Sequence, residues 1–167
     1  DDKLINYFLT KGIDINEKDY DGNGIFNYTA KRGNQKMMNL LIQKGVNYKN
    51  LNKINGNAMI FASYGTRSYS NKLSTYKYLD SIGIEANVTT SKGVNPLHSI
   101  VYKVKDMSII NYFIEKGVNI NQVNSKGFNV LMNSCYSNDT NVISHLINYT
   151  ENINHKKTFL NAYKKFL

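Results

Sequence analysis

One cysteine, one proline, no tryptophan and three histidines occur in 167 residues, and each scarcity closes off a class of protein. Cys135 alone cannot form an internal disulfide, and no ligand set for zinc surrounds it. His98, His145 and His155 and the twelve acidic residues stand at no spacing that would assemble a nucleophile, a general base or a metal centre. The expectation is therefore a chain that is not an enzyme, with no cofactor and no metal. The glycines do not form a phosphate cradle either: Gly22-Asn23-Gly24 lacks the preceding strand and the lysine or third glycine that such motifs need. No stretch approaches the ~20 apolar residues of a membrane span. A basic-then-apolar leader is also missing, and the chain starts at Asp1, as a processed protein or an excised domain would. Nothing in these features indicates a compartment.

What is present is a basic, asparagine-rich chain with enough apolar residues for a core. Hydrophobic residues make up 41% and aromatics 12%, which excludes a disordered polypeptide. The net charge is +9, yet it is spread out: residues 1–50 carry +2, 51–117 carry +4 and 118–167 carry +3. That distribution argues against a nucleic-acid site, which would concentrate the charge on one face. Lys156, Lys157, Lys164 and Lys165 form the one cluster, beside the C-terminus. The twenty-six asparagines, with many Lys, Ile and Tyr, fit the codon bias of an AT-rich genome.

Self-similarity organises the sequence. Gly22, Gly56, Gly93 and Gly127 recur at intervals of 34, 37 and 34, and Gly12, Gly45, Gly83 and Gly117 at 33, 38 and 34. Before members of the second series lies an apolar pattern at i, i+1, i+4 and i+5: Leu4, Ile5, Phe8, Leu9; Met37, Met38, Leu41, Ile42; Ile109, Ile110, Phe113, Ile114. It returns as Val142, Ile143, Leu146 and Ile147, where Thr150 takes the glycine slot. This spacing sets four side chains on one helical face. A face so short cannot persist alone in water, so equal units must stack and bury it. Glycine after each helix suits a C-terminal cap in the left-handed region. The third unit is the least regular, with about four extra residues in the stretch 64–71 and Thr75 and Asp80 at apolar positions.

The segment Gly93-Val94-Asn95-Pro96-Leu97-His98 resembles the ankyrin signature Gly-x-Thr-Pro-Leu-His, and Glu115-Lys116-Gly117-Val118-Asn119-Ile120-Asn121 resembles the Gly-Ala-Asp-Val-Asn ending of that repeat. Over about residues 3–154 the chain is similar to ankyrin-repeat proteins. The resemblance implies an all-α solenoid of stacked helix-turn-helix units with protruding finger turns, forming one domain. Its expected parts are the second helix of a first repeat at about 3–12, four full repeats over about 19–154 and a capping helix at about 157–166. It also assigns His98 to structural hydrogen bonds and Cys135 to a small buried place of a first helix.

The same resemblance implies a protein-protein interaction module that binds through its concave face and finger tips. Carried onto this chain, the first-helix surface includes Lys31, Arg32, Tyr102, Lys103, Tyr136 and Ser137. Tyr102 and Tyr136 fall nine residues after their glycines, and Tyr64 is displaced by one. Finger residues Tyr20, Asp21, Asn23, Ile54, Val94 and Phe128 extend the patch. Tyrosine and arginine are enriched in binding hot spots, and such an aromatic, basic surface suits an acidic protein partner. The chain is expected to be a monomer. A second reading from another class makes these repeats the scaffold or substrate-recruiting portion of a larger effector or enzyme whose catalytic domain lies elsewhere.

Overall fold

The computed structural model describes residues 2–65, 71–104, 106–137 and 139–150. The expected closing helix at about 157–166 and most of the irregular stretch 64–71 lie outside them. Among the described residues the chain forms helices α1 (Asp2–Thr10), α2 (Ile25–Lys31), α3 (Gln35–Gln43), α4 (Ala58–Tyr64), α5 (Leu73–Ser81), α6 (Pro96–Ile100), α7 (Met107–Glu115), α8 (Val130–Ser134) and α9 (Thr140–Ile147). A 3₁₀ turn over Cys135–Ser137 continues α8. No strand forms among these residues; one isolated antiparallel bridge joins Lys18 and Gly24.

Helices α2, α4, α6 and α8 pack on one another in series, and each also packs on the helix that follows it in the chain. Small residues at the contact allow this close approach: Ala30, Ala58, Ala62 and Ser134 are fully buried. Behind them the core is filled from the second helices by Met38, Leu41, Tyr76, Leu79, Ile110, Phe113 and Leu146, together with Leu97 and Leu131 from the first. In α3, α7 and α9 the i, i+1, i+4, i+5 pattern is thus the face turned to the core, whereas in α1 Leu4 and Phe8 of the same pattern are exposed. Asp80, at one of its apolar positions, is accommodated by an ion pair to Lys116 at 2.6 Å, and Thr75 is buried without charge.

Helix ends are set by short polar side chains. Asn57, Asn95 and Asn129 cap α4, α6 and α8 by accepting amide hydrogen bonds from the first turn; Asn34, Asp106 and Asp139 do the same for α3, α7 and α9. At the other end, the amides of Val46, Ile84 and Val118 donate to the carbonyls of Leu41, Leu79 and Phe113. Closing that ring requires a left-handed residue just before, met by Gly45, Gly83 and Gly117 at φ 83°, 82° and 79°. In the last repeat Thr150 solves the same problem differently, for its hydroxyl donates to the Leu146 carbonyl at 3.0 Å. That carbonyl is the counterpart of the one the amide of Val46 reaches.

The first glycine series needs a correction in the second full repeat. The left-handed residue of the finger is Gly22, Gly93 and Gly127 in the first, third and fourth full repeats, and in the second it is Asn55, at φ 59°, and not Gly56. Asparagine tolerates that region because its side chain bonds locally. With Asn55 in register, the finger spacings become 33, 38 and 34, identical to those of the helix-ending glycines.

Candidate functional site

Each finger is built by one polar residue that folds the chain back on itself. Asp19, Asn52, Thr90 and Asn124 accept, through a side-chain oxygen, the amides of Asn23, Gly56, Val94 and Phe128. Their carbonyls accept from the left-handed residues, and their own amides donate back across the turn to the carbonyls of Asn23, Gly56, Val94 and Phe128. Neighbouring fingers are then tied together: the amides of Lys53, Ser91 and Ser125 donate to the carbonyls of Asp21, Ile54 and Lys92 at 2.9, 2.8 and 2.8 Å. His98 adds a further tie. Its Nδ1 accepts from the Asn95 amide and its Nε2 faces the Phe128 carbonyl at 3.2 Å, so burial holds its pKa below the ordinary 6.5. Asn27 occupies the same place in the first full repeat, where its Oδ1 accepts from the Gly24 amide. The histidine is structural, as the resemblance implied.

Corrected register also rearranges the expected tyrosine row. Counted nine residues from the left-handed finger residue, the equivalent positions are Lys31, Tyr64, Tyr102 and Tyr136, with no displacement at Tyr64. Tyr102 and Tyr136 are 42% and 49% exposed. Their ring centroids lie 5.5 Å apart at 32°, and Phe128 meets Tyr136 edge-on at 6.2 Å. Tyr64 is half-buried; its ring packs on Phe61, and its carbonyl accepts from Lys103 Nζ at 2.8 Å. Desolvation raises the hydroxyl pKa of Tyr64 and Tyr102 above the usual 10.0, so both are neutral donors at physiological pH.

These residues line one open groove between the third and fourth fingers and the first helices. Its walls include Tyr64, Tyr102, Tyr136, Phe128, Lys92 and Lys126, and no acidic side chain is among them. Lys92 and Lys126 escaped the sequence reading. Each stands one residue before its finger glycine, a place that an alignment of the repeats marks as the tip.

The other expected site residues divide. Tyr20 is 88% exposed, with Lys53 Nζ over its ring at 4.1 Å; Asp21 and Arg32 are exposed and Lys31 half-buried. Asn23 does not belong to an exposed set. It is buried, donating to Asp19 at 2.9 Å and accepting from Asn52 at 2.9 Å, and so it builds the finger and offers nothing to a partner. Asp19 also accepts from the Tyr28 hydroxyl, and these bonds hold its carboxyl down to about 2. Cys135 is half-buried and not fully enclosed, because it opens the 3₁₀ turn; burial pushes its thiol up to about 11, which leaves it protonated and inert.

Comparison with known proteins is consistent with this geometry. A family model described as ankyrin repeats (3 copies) matches residues 67–157. No curated protein matches the chain. The finger and cap pattern that the match covers extends upstream to Asp19 and Asn57 in the same register.

Proposed function

Because the chain belongs to the ankyrin-repeat family, whose repeats are generally protein-protein interaction modules and typically non-catalytic, we propose that it binds a protein partner and performs no catalysis of its own. The partner lies on the surface that the fingers share with α2, α4, α6 and α8. Tyr20, Asp21, Lys31, Arg32, Tyr64, Tyr102, Lys103, Phe128 and Tyr136 are the side chains available there. The observation that carries the reading is the exposed, mutually packed pair Tyr102 and Tyr136. Two large aromatic rings held in place by neighbours lose little entropy on binding and bring much contact area. The surrounding ammonium groups suit an acidic surface on the partner.

The test is affinity capture from lysate, comparing the wild type with a Tyr102→Ala, Tyr136→Ala double variant by mass spectrometry. A protein held by the wild type and released by the variant supports both the function and the face. Equal capture by both moves the site away from the tyrosines. No capture by either favours the alternative in which these repeats scaffold a larger effector or enzyme.

A further inference from the structure

The finger row is electrically polarised. Asp14, Glu17, Asp19 and Asp21 crowd the segment that forms the first finger, against Lys18 alone. The third and fourth repeats invert this: residues 86–104 contain Lys92 and Lys103 with no acid, and residues 118–137 contain Lys126 with no acid. The one ion pair among the described residues is Lys116 with Asp80 on the second helices, so Lys92 and Lys126 enter no ion pair there. Both are exposed, and both border the groove that Tyr64, Tyr102, Tyr136 and Phe128 line.

We infer that this groove takes an extended acidic segment of the partner, seating one apolar side chain against Tyr102, Tyr136 and Phe128 and setting flanking carboxylates on Lys92 and Lys126. The inference rests on the interaction function proposed above and narrows it to one part of the face. Three observations specify the occupant. The groove has an apolar aromatic floor beside two cationic tips and no anion, which is charge complementarity to an acidic chain. The groove is small, about 310 Å³, with room for a few side chains of an extended segment laid along it and not for the face of a folded domain. The acids of the first finger repel such a segment and confine it to the third and fourth repeats.

The test is a panning of random dodecapeptides displayed on phage against the full chain, followed by fluorescence anisotropy of the enriched peptides at low salt. Expected sequences carry at least two Asp or Glu around an aromatic or branched apolar residue. Their affinity should fall roughly tenfold or more in Lys92→Glu, Lys126→Glu and in Tyr102→Ala, Tyr136→Ala. It should change less than about twofold in Lys36→Glu, Lys77→Glu, which makes the same change in net charge on exposed second-helix positions. Circular dichroism checks that each variant is folded. Enrichment of neutral or basic peptides, no enrichment, or equal weakening by both charge-reversed pairs overturns the inference. If binding then still depends on the tyrosines, the interaction face survives without the acidic segment; if it depends on neither pair, the face itself is wrong.

Discussion

Substituting Gly93 and Gly45 by alanine separates two costs that the array imposes on its left-handed residues. Both have positive φ, 70° and 83°, and a Cβ in that region costs about 1–2 kcal/mol. Their surroundings differ. A Cβ at Gly45 meets nothing within 4 Å, whereas at Gly93 it overlaps the Val123 carbonyl oxygen and lies 3.0 Å from Asn124 Cα. Both obstacles are backbone of the next finger, which is tied to this one by the Ser125 amide, so neither can swing aside as a side chain would. Overpacking of that kind adds about 1–3 kcal/mol. Gly45→Ala should therefore lose about 1–2 kcal/mol and Gly93→Ala about 2–5 kcal/mol, at ~2–4 °C of melting temperature for each kcal/mol. Urea denaturation followed by far-ultraviolet circular dichroism reads the difference. Gly45→Val and Gly117→Val should also melt below the wild type. Equal losses at Gly93 and Gly45 would refute the claim that finger-to-finger contact adds to the backbone cost.

Two further perturbations test the polar framework. Asn71 is buried and donates through Nδ2 to the carbonyls of Ala30, Lys31 and Ala62 at 3.1, 3.2 and 2.9 Å, so Asn71→Ala should cost about 1–3 kcal/mol by removing the side chain that ties the end of α2 to α4; a melting temperature equal to wild type would contradict it. For His98, burial lowers the folded-state pKa below 6.5. The unfolded chain thus binds the proton more readily, and stability that is full above 6.5 is lost as pH falls from there through the folded value. His98→Asn, which installs the residue that Asn27 already is, should flatten the decline in melting temperature between pH 7 and 5.5, and parallel declines in the two proteins would rule out the assignment.

How much of this was legible in the sequence depends on which physical signal each residue carried. The helix-ending glycines could be read because capping by a left-handed residue has few chemical solutions, and Gly12, Gly45, Gly83 and Gly117 all take φ near 80°. The first finger series failed at one point because two solutions exist there. Asn55 enters the left-handed region where the glycine spacing points to its neighbour Gly56, and that one-residue shift takes Tyr64 out of its row. Asparagine abundance fits codon bias, but Asn34, Asn52, Asn57, Asn71, Asn95, Asn124 and Asn129 each hold a cap, a finger or a helix end. The pairing of Asp80 with Lys116 could not be seen at all, since the two stand in different repeats and no local pattern links them.

The ties between fingers have a kinetic consequence. Lys53, Ser91 and Ser125 sit at exposed tips, where amide protons would ordinarily trade with solvent at once, yet each is held by a carbonyl of the preceding finger. Protection of such a proton reports the integrity of the repeat before it as well as of its own. When the array frays from its first repeat, the Lys53 amide should lose its slow exchange before the Ser91 amide, and Ser91 before Ser125. Three surface protons thus form a clock that records from which end, and in what order, the solenoid comes apart.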